Sequence, residues 1–255
     1  LEQLKFDKIG CWVGKSAILD PNKAVRDAKR AGVNHLDIMV NDATSNKNFH
    51  LFADSKTVLR SLKVIKDAGL TFSITSWLVP TDNWINGMEN ELVPILSELD
   101  IEELTLDVEE PYLIPLRKNV KLAEFWSERL RLAITTKYKG RVAVTCIVYT
   151  NLDLVEPLLK WCDVIIPQSY ATVGNTKGLH VGDLERLAYQ KFAKYNKKIV
   201  LGAAAWNIDG AYGLNEKDAL KASFNAILAL DVYQVRIWSL RFIDQTIAEI
   251  IKLYL

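Results

Sequence analysis

Short apolar runs rich in Val, Ile, Thr and aromatic residues alternate along the chain with longer segments whose apolar positions recur every three or four residues. The first pattern predicts strands at residues 8–14, 35–40, 71–79, 104–111, 141–149, 164–171, 198–206 and 234–240. The second predicts a helix opened by Asp20-Pro21, where Asp caps and Pro fits the first turn, and helices at 54–68, 84–99, 119–138, 152–161, 183–195, 216–230 and 244–253. Gly32 and Gly69 stop the first two of these helices.

Strand and helix alternate without a break, which implies parallel pairing through right-handed crossovers. Eight such units in 255 residues predict one α/β domain over residues 1–255, a single (β/α)8 TIM barrel, with an open doubly wound sheet as the competing fold. The longer connections, 41–53, 111–118, 172–182 and 207–215, all follow strands. In a barrel those loops crowd the carboxyl ends of the strands, where such enzymes place their chemistry.

The fourth strand carries Leu104-Thr105-Leu106-Asp107-Val108-Glu109-Glu110-Pro111. Alternation points Thr105, Asp107 and Glu109 to one side and the leucines and valine to the other. Two carboxylates that share a buried face cannot both ionise freely, so one keeps its proton near neutral pH. Glu109, nearer the strand end, is then the expected proton donor to a glycosidic oxygen, and Asp107 the charged partner behind it. The other strand ends offer Asn41, Trp77, Tyr149, Gln168, Tyr170, Trp206 and Trp238, a mixture of rings and amides that suits sugar faces and hydroxyls.

Charge narrows the partners. With 32 basic and 31 acidic residues the net charge is +1, which gives no footprint for nucleic acid or an anionic membrane. No apolar run approaches the ~20 residues of a membrane-spanning helix, and no basic, apolar leader opens the sequence. A start at Leu1 reads as a processed or trimmed product. The three cysteines, Cys11, Cys146 and Cys162, are odd in number and read as small core residues rather than a disulfide framework. His35, His50 and His180 have no metal-ligand spacing, no strand presents an inward lysine near its end, and Gly210-Ala211-Tyr212-Gly213 is only a loose match to a phosphate-binding turn. On strand one, Cys11 and Val13 are the residues expected to face inward.

Three segments together resemble glycoside hydrolase family 18. Thr105-Leu106-Asp107-Val108-Glu109 is similar to the DxDxE motif of that family's fourth strand. Gln168-Ser169-Tyr170 resembles the Gln-x-Tyr on strand six of its plant-type members, and Ile237-Trp238-Ser239-Leu240-Arg241-Phe242-Ile243-Asp244 their strand-eight segment. The resemblance implies retaining, substrate-assisted hydrolysis of β-1,4 bonds after an N-acetylglucosamine-type sugar, in chitin-like or peptidoglycan glycan. Glu109 would be the general acid and then the base, and Asp107 would orient the acetamido group whose oxygen attacks the anomeric carbon. Tyr170 would hydrogen-bond that group, Gln168 would line its pocket and Trp238 form its floor, with Trp206, Tyr149 and Asn41 as further sugar contacts. No metal or organic cofactor is required. The protein would be released or secreted to act on cell-wall glycan, its partner an oligosaccharide or polysaccharide.

The sequence departs from the family at one place: Thr105 stands where the motif has its first Asp. A hydroxyl can donate a hydrogen bond to Asp107 but cannot share its charge, so a barrel that binds glycan or a protein partner without cutting is the alternative. The carboxylate pair is also reminiscent of family 25 lysozymes, although their strand-one Asp has no counterpart here.

Overall fold

A computed structural model describes residues 5–42 and 48–255. Its strands are β1 (Lys8–Val13), β2 (His35–Met39), β3 (Thr71–Trp77), β4 (Glu103–Val108), β5 (Arg141–Ile147), β6 (Val164–Gln168), β7 (Lys198–Ile199), β8 (Leu201–Ala204) and β9 (Gln234–Trp238). All pair in parallel, in the order β7-β6-β5-β4-β3-β2-β1-β9-β8. β7 and β8 are the two halves of the expected seventh strand: the first pairs with β6, the second with β9. The barrel is therefore the (β/α)8 fold that the alternation predicts.

The break in the seventh strand has a local cause. Val200 still donates its N–H to the Ile165 carbonyl at 3.0 Å. The next bond of a parallel ladder would come from the N–H of residue 167, which is proline and has none. Past that point the strand turns to β9.

Helices fill the crossovers largely as expected, with two differences. The segment 84–99 is three pieces, Asp82–Gly87, a π-turn at Met88–Leu92 and Val93–Glu98. Pro94 lies at the start of the last piece and cannot donate to the preceding turn, which widens there. The connection after β4, expected to be a loop, forms the helix Glu110–Leu116, with Pro111 in its first turn. The loop expected over 41–53 lies in part outside the described residues.

One large apolar core fills the space between strands and helices, and a second, made of Trp12, Ala143, Val164, Ile166 and Val200, fills the barrel interior. Trp12 thus points inward, while Cys11 and Val13 face the helices. This reverses the expectation for strand one. Cys11, Trp12 and Val13 are all apolar, and a strand buried on both faces carries no alternation by which to choose between the two parities. Cys11, Cys146 and Cys162 are buried and unpaired.

The base of the interior is charged. Arg236 on β9 is 2 % exposed, and its guanidinium meets Asp37 of β2 (Nε–Oδ2, 2.9 Å) and Glu103 of β4 (Nη2–Oε1, 3.4 Å). The guanidinium lies across Gly10 of β1, where even a methyl group would come within 2.5 Å of the arginine Cδ. His35 completes the layer, its Nδ1 at 2.9 Å from Thr71 Oγ1 and its Nε2 at 3.3 Å from Ser73 Oγ. These pairs tie β1, β2, β3, β4 and β9 together beneath the mouth.

Candidate active site

The register of the sheet carries five expected residues to the carboxyl end of the barrel. Asp107 is the penultimate residue of β4, opposite Trp77 on β3 and Thr145 on β5. Glu109 follows immediately, in extended conformation, before the next helix begins at Glu110. Two strands away, Gln168 ends β6, and its Nε2 lies 3.1 Å from Asp107 Oδ1 and 3.5 Å from Glu109 Oε1. A single amide therefore faces both carboxylates and fixes their relation to each other.

Burial sets the protonation of the pair. Asp107 is 4 % exposed, and its carboxyl is pushed well above the usual carboxylate range, first by loss of water and then by the charge of Glu109. Gln168 and the indole N–H of Trp77, which is buried and meets no acceptor at full geometry, pull weakly the other way. Glu109 is also raised, by burial and by Glu110, against the bond from Gln168. Burial and proximity thus raise both carboxyls, and the pair as a unit retains a proton above the ordinary carboxylate range.

Beside the pair stands an aromatic wall. Tyr170 and Trp238 lie with ring centroids 6.4 Å apart at 31°, and Trp12 packs edge-on to Tyr170 at 6.1 Å and tilted against Trp238 at 6.1 Å. Burial and the neighbouring Asp107 and Glu109 hold the Tyr170 phenol well above its ordinary pKa, so it remains a hydrogen-bond donor. The tyrosine is placed by Gly202 on β8, because a Cβ there would meet the Pro167 carbonyl at 3.0 Å and Tyr170 Cε1 at 3.1 Å. Ser169 adds a hydrogen bond to the Gly202 carbonyl at 2.7 Å. The chain leaves β9 through a cis peptide between Trp238 and Ser239.

The remaining expected residues take other positions. Thr105 is fully buried one pleat below Asp107, opposite Thr75, and neither hydroxyl oxygen has a hydrogen-bond partner among the described residues. The bond from Thr105 to Asp107 does not form. Asn41 is also fully buried, and its side-chain amide is engaged with the backbone of Trp77, accepting from its N–H at 3.1 Å and donating to its carbonyl at 3.3 Å. It orders the ends of β2 and β3 beside the site. Trp206 and Tyr149 are 51 % and 59 % exposed on the rim, Trp206 lying 6.3 Å from Phe242. Trp12 was not among the expected site residues. The signal available for it was size: it is a large ring on β1, which adjoins the Trp238 strand.

Among the described residues no group of histidine, cysteine, aspartate and glutamate is arranged to hold a metal ion. His35 sits in the barrel base, while His50 and His180 are exposed. No described helix is long and apolar enough to cross a membrane.

No family model matches this sequence, and no curated protein matches it. Solved structures do match the fold. The spore cortex-lytic enzyme SleL of Bacillus megaterium QM B1551 superposes with a TM-score of 0.66 at 10 % identity, covering 100 % of this chain and 75 % of that one. A GH18 chitinase from Pseudoalteromonas aurantia gives 0.63 at 11 % identity, over 98 % and 100 % of the two chains. A xylanase-A-amylase inhibitor protein, XAIP-III, gives 0.62 at 12 % identity over 97 % of each. These neighbours share the (β/α)8 barrel fold with this chain.

Proposed function

We propose that this barrel is a glycosidase that hydrolyses β-1,4 bonds in N-acetylglucosamine-containing glycan, chitin-like or peptidoglycan, with retention at the anomeric carbon. The observation that carries the reading is the Gln168 amide shared by Asp107 and Glu109 beside the Tyr170–Trp238 wall. Carboxylates at a barrel mouth also occur as structural pairs; these two are held together, deprived of water and set against rings that a pyranose can cover. The resemblance of three separate strand ends to family 18, and neighbours named as a chitinase and a cortex-lytic enzyme, support the same direction.

In this reading the pair shares one proton. An N-acetylated sugar seated over Trp238 donates its acetamido N–H to Asp107, which stabilises the Asp107 carboxylate and shifts the proton to Glu109. Glu109 protonates the glycosidic oxygen, the anomeric C–O bond breaks, and the acetamido carbonyl oxygen bonds to the anomeric carbon from the opposite face. The Tyr170 hydroxyl donates to that acetamido group as the ring closes. Glu109, now a carboxylate, takes a proton from water, which opens the oxazolinium and restores the anomeric configuration. Asn41 acts indirectly, through Trp77, and Trp206 and Tyr149 supply outer platforms for neighbouring sugars.

Incubation with N-acetylglucosamine oligomers and with purified cell walls tests this reading. Shorter products from either substrate, lost in Glu109→Gln, are expected. No product from either, with the variant indistinguishable from wild type, sinks it.

A second reading, a barrel that binds glycan or a protein without turnover, is favoured by the neutral Thr105 beneath Asp107 and by a neighbour named as an inhibitor. It predicts oligosaccharide or protein affinity with no product, and no hydrolysis gained in Thr105→Asp.

A further inference from the structure

The mouth of the barrel continues past Trp12 and Trp238 into a cleft of about 500 Å³ over the ends of β1 and β9. Its chemistry differs from that of the carboxylate pair. Four of its lining residues, Asp20, Lys23, Asp27 and Lys15, come from the segment after β1, and Arg241 comes from the turn after β9. The acids are engaged: Asp20 caps the helix Pro21–Ala31 by accepting from the Lys23 N–H at 2.9 Å, and Asp27 is paired with Lys23 and, at 3.5 Å, with Arg30. Lys15 and Arg241 have no carboxylate partner among the described residues.

Aromatic rings hold these two cations instead. Lys15 Nζ lies 6.0 Å from the centroid of Phe52, and the Arg241 guanidinium 4.5 Å from that of Phe242, which in turn leans on Trp206. A ring face orients a cation without using its hydrogen-bond donors, so the ammonium and guanidinium N–H groups stay free for a ligand. Both cations are exposed and flank the sugar-stacking ring Trp238 along the chain or across the β1–β9 pair.

We infer that this cleft is a subsite for a carboxylate carried by the glycan, on a sugar adjoining the one that covers Trp238. A uronic acid or a lactyl ether substituent presents the required group, and a neutral chitin chain presents none. The inference rests on the glycosidase reading for the direction of the chain, and it assigns Lys15 and Arg241 to binding, not to bond cleavage.

The test compares affinity for four ligands at low and at high salt, by calorimetry on wild type and on the Lys15→Gln/Arg241→Gln double variant. The ligands are an oligomer alternating N-acetylglucosamine with N-acetylmuramic acid, one alternating N-acetylglucosamine with glucuronic acid, and the methyl ester of each acid. Each acid is expected to bind about tenfold more tightly than its ester at low salt. The ratio should shrink at high salt and fall toward one in the double variant, a change that a merely structural role for either cation does not produce. A preference for only one of the two acids identifies the source of the carboxylate.

Equal binding of acid and ester by wild type overturns the subsite, as does a ratio that survives the double substitution. A wild type that cleaves N-acetylglucosamine oligomers but shows no acid preference disproves the subsite alone. A protein that neither binds nor cleaves any of these glycans disproves both readings.

Discussion

His35, at the barrel base, is a neutral histidine whose charging the fold resists. Burial and the positive charge of Arg236 lower its pKa from 6.5 to about 4, against the pull of Asp37. Below pH 6.5 the unfolded chain takes up a proton at this position that the folded chain refuses until about pH 4. Stability present above pH 6.5 is therefore lost as pH falls through that window. At ~1.4 kcal/mol per pH unit the loss reaches about 2 kcal/mol by pH 5 and about 3 kcal/mol near pH 4. That is a large share of the ~5–15 kcal/mol by which domains are stable. Urea unfolding at pH 7, 6, 5 and 4.5, on wild type and on His35→Gln, measures it. The amide keeps a donor and an acceptor for Thr71 and Ser73 but does not titrate. The wild-type stability should fall relative to the variant on acidification, whereas carboxylate contributions common to both proteins cancel in the difference. Parallel pH curves for the two proteins would refute the reasoning.

Three further outcomes follow from the same geometry. Arg236→Leu leaves Asp37 and Glu103 buried without their cation and should cost about 3–5 kcal/mol in chemical denaturation, the penalty of stranded charge. Gly202→Ala pushes a methyl group against the Pro167 carbonyl and the Tyr170 ring, so it should cost about 1–3 kcal/mol and weaken oligosaccharide binding; a variant with unchanged melting temperature and affinity contradicts the close approach. The rate of glycan hydrolysis should decline on the alkaline side as the Asp107–Glu109 pair loses its shared proton, at a pH above the ordinary carboxylate range because burial raises both groups; a pH–rate profile without that limb argues against a proton held by the pair.

The barrel was legible because its signal is repeated: strand and helix periodicities alternate over the whole chain, and an error at one element is corrected by its neighbours. The split at Val200 was not, since it depends on which N–H opposes which carbonyl across two strands, and Pro167 alone does not reveal its partner. At the site, Asp107, Glu109, Gln168, Tyr170 and Trp238 were visible as strand-end residues of one parity. Trp12 was hidden by a strand apolar on both faces. Asn41 lies at a strand end as expected, but it is buried and its amide is engaged with the Trp77 backbone, a pairing set by the β2–β3 register rather than by residue type.

Thr105 sits between two layers of ionisable groups. The barrel interior is layered: Arg236 with Asp37 and Glu103 at the base, Thr75 and Thr105 above it, and the Asp107–Glu109 pair at the mouth. The threonine layer is uncharged and separates the two charged layers. Among the groups that set the protonation of Asp107 there is no cation and no acid from below, only burial, Glu109, Trp77 and Gln168. A third carboxylate beneath Asp107 would offer another place for the shared proton. Without it the proton stays within the pair, held there by loss of water, and in the proposed mechanism Glu109 is the member that carries it to the glycosidic oxygen. In the proposed mechanism, threonine at this place removes an alternative acceptor and leaves the two-carboxylate exchange in place.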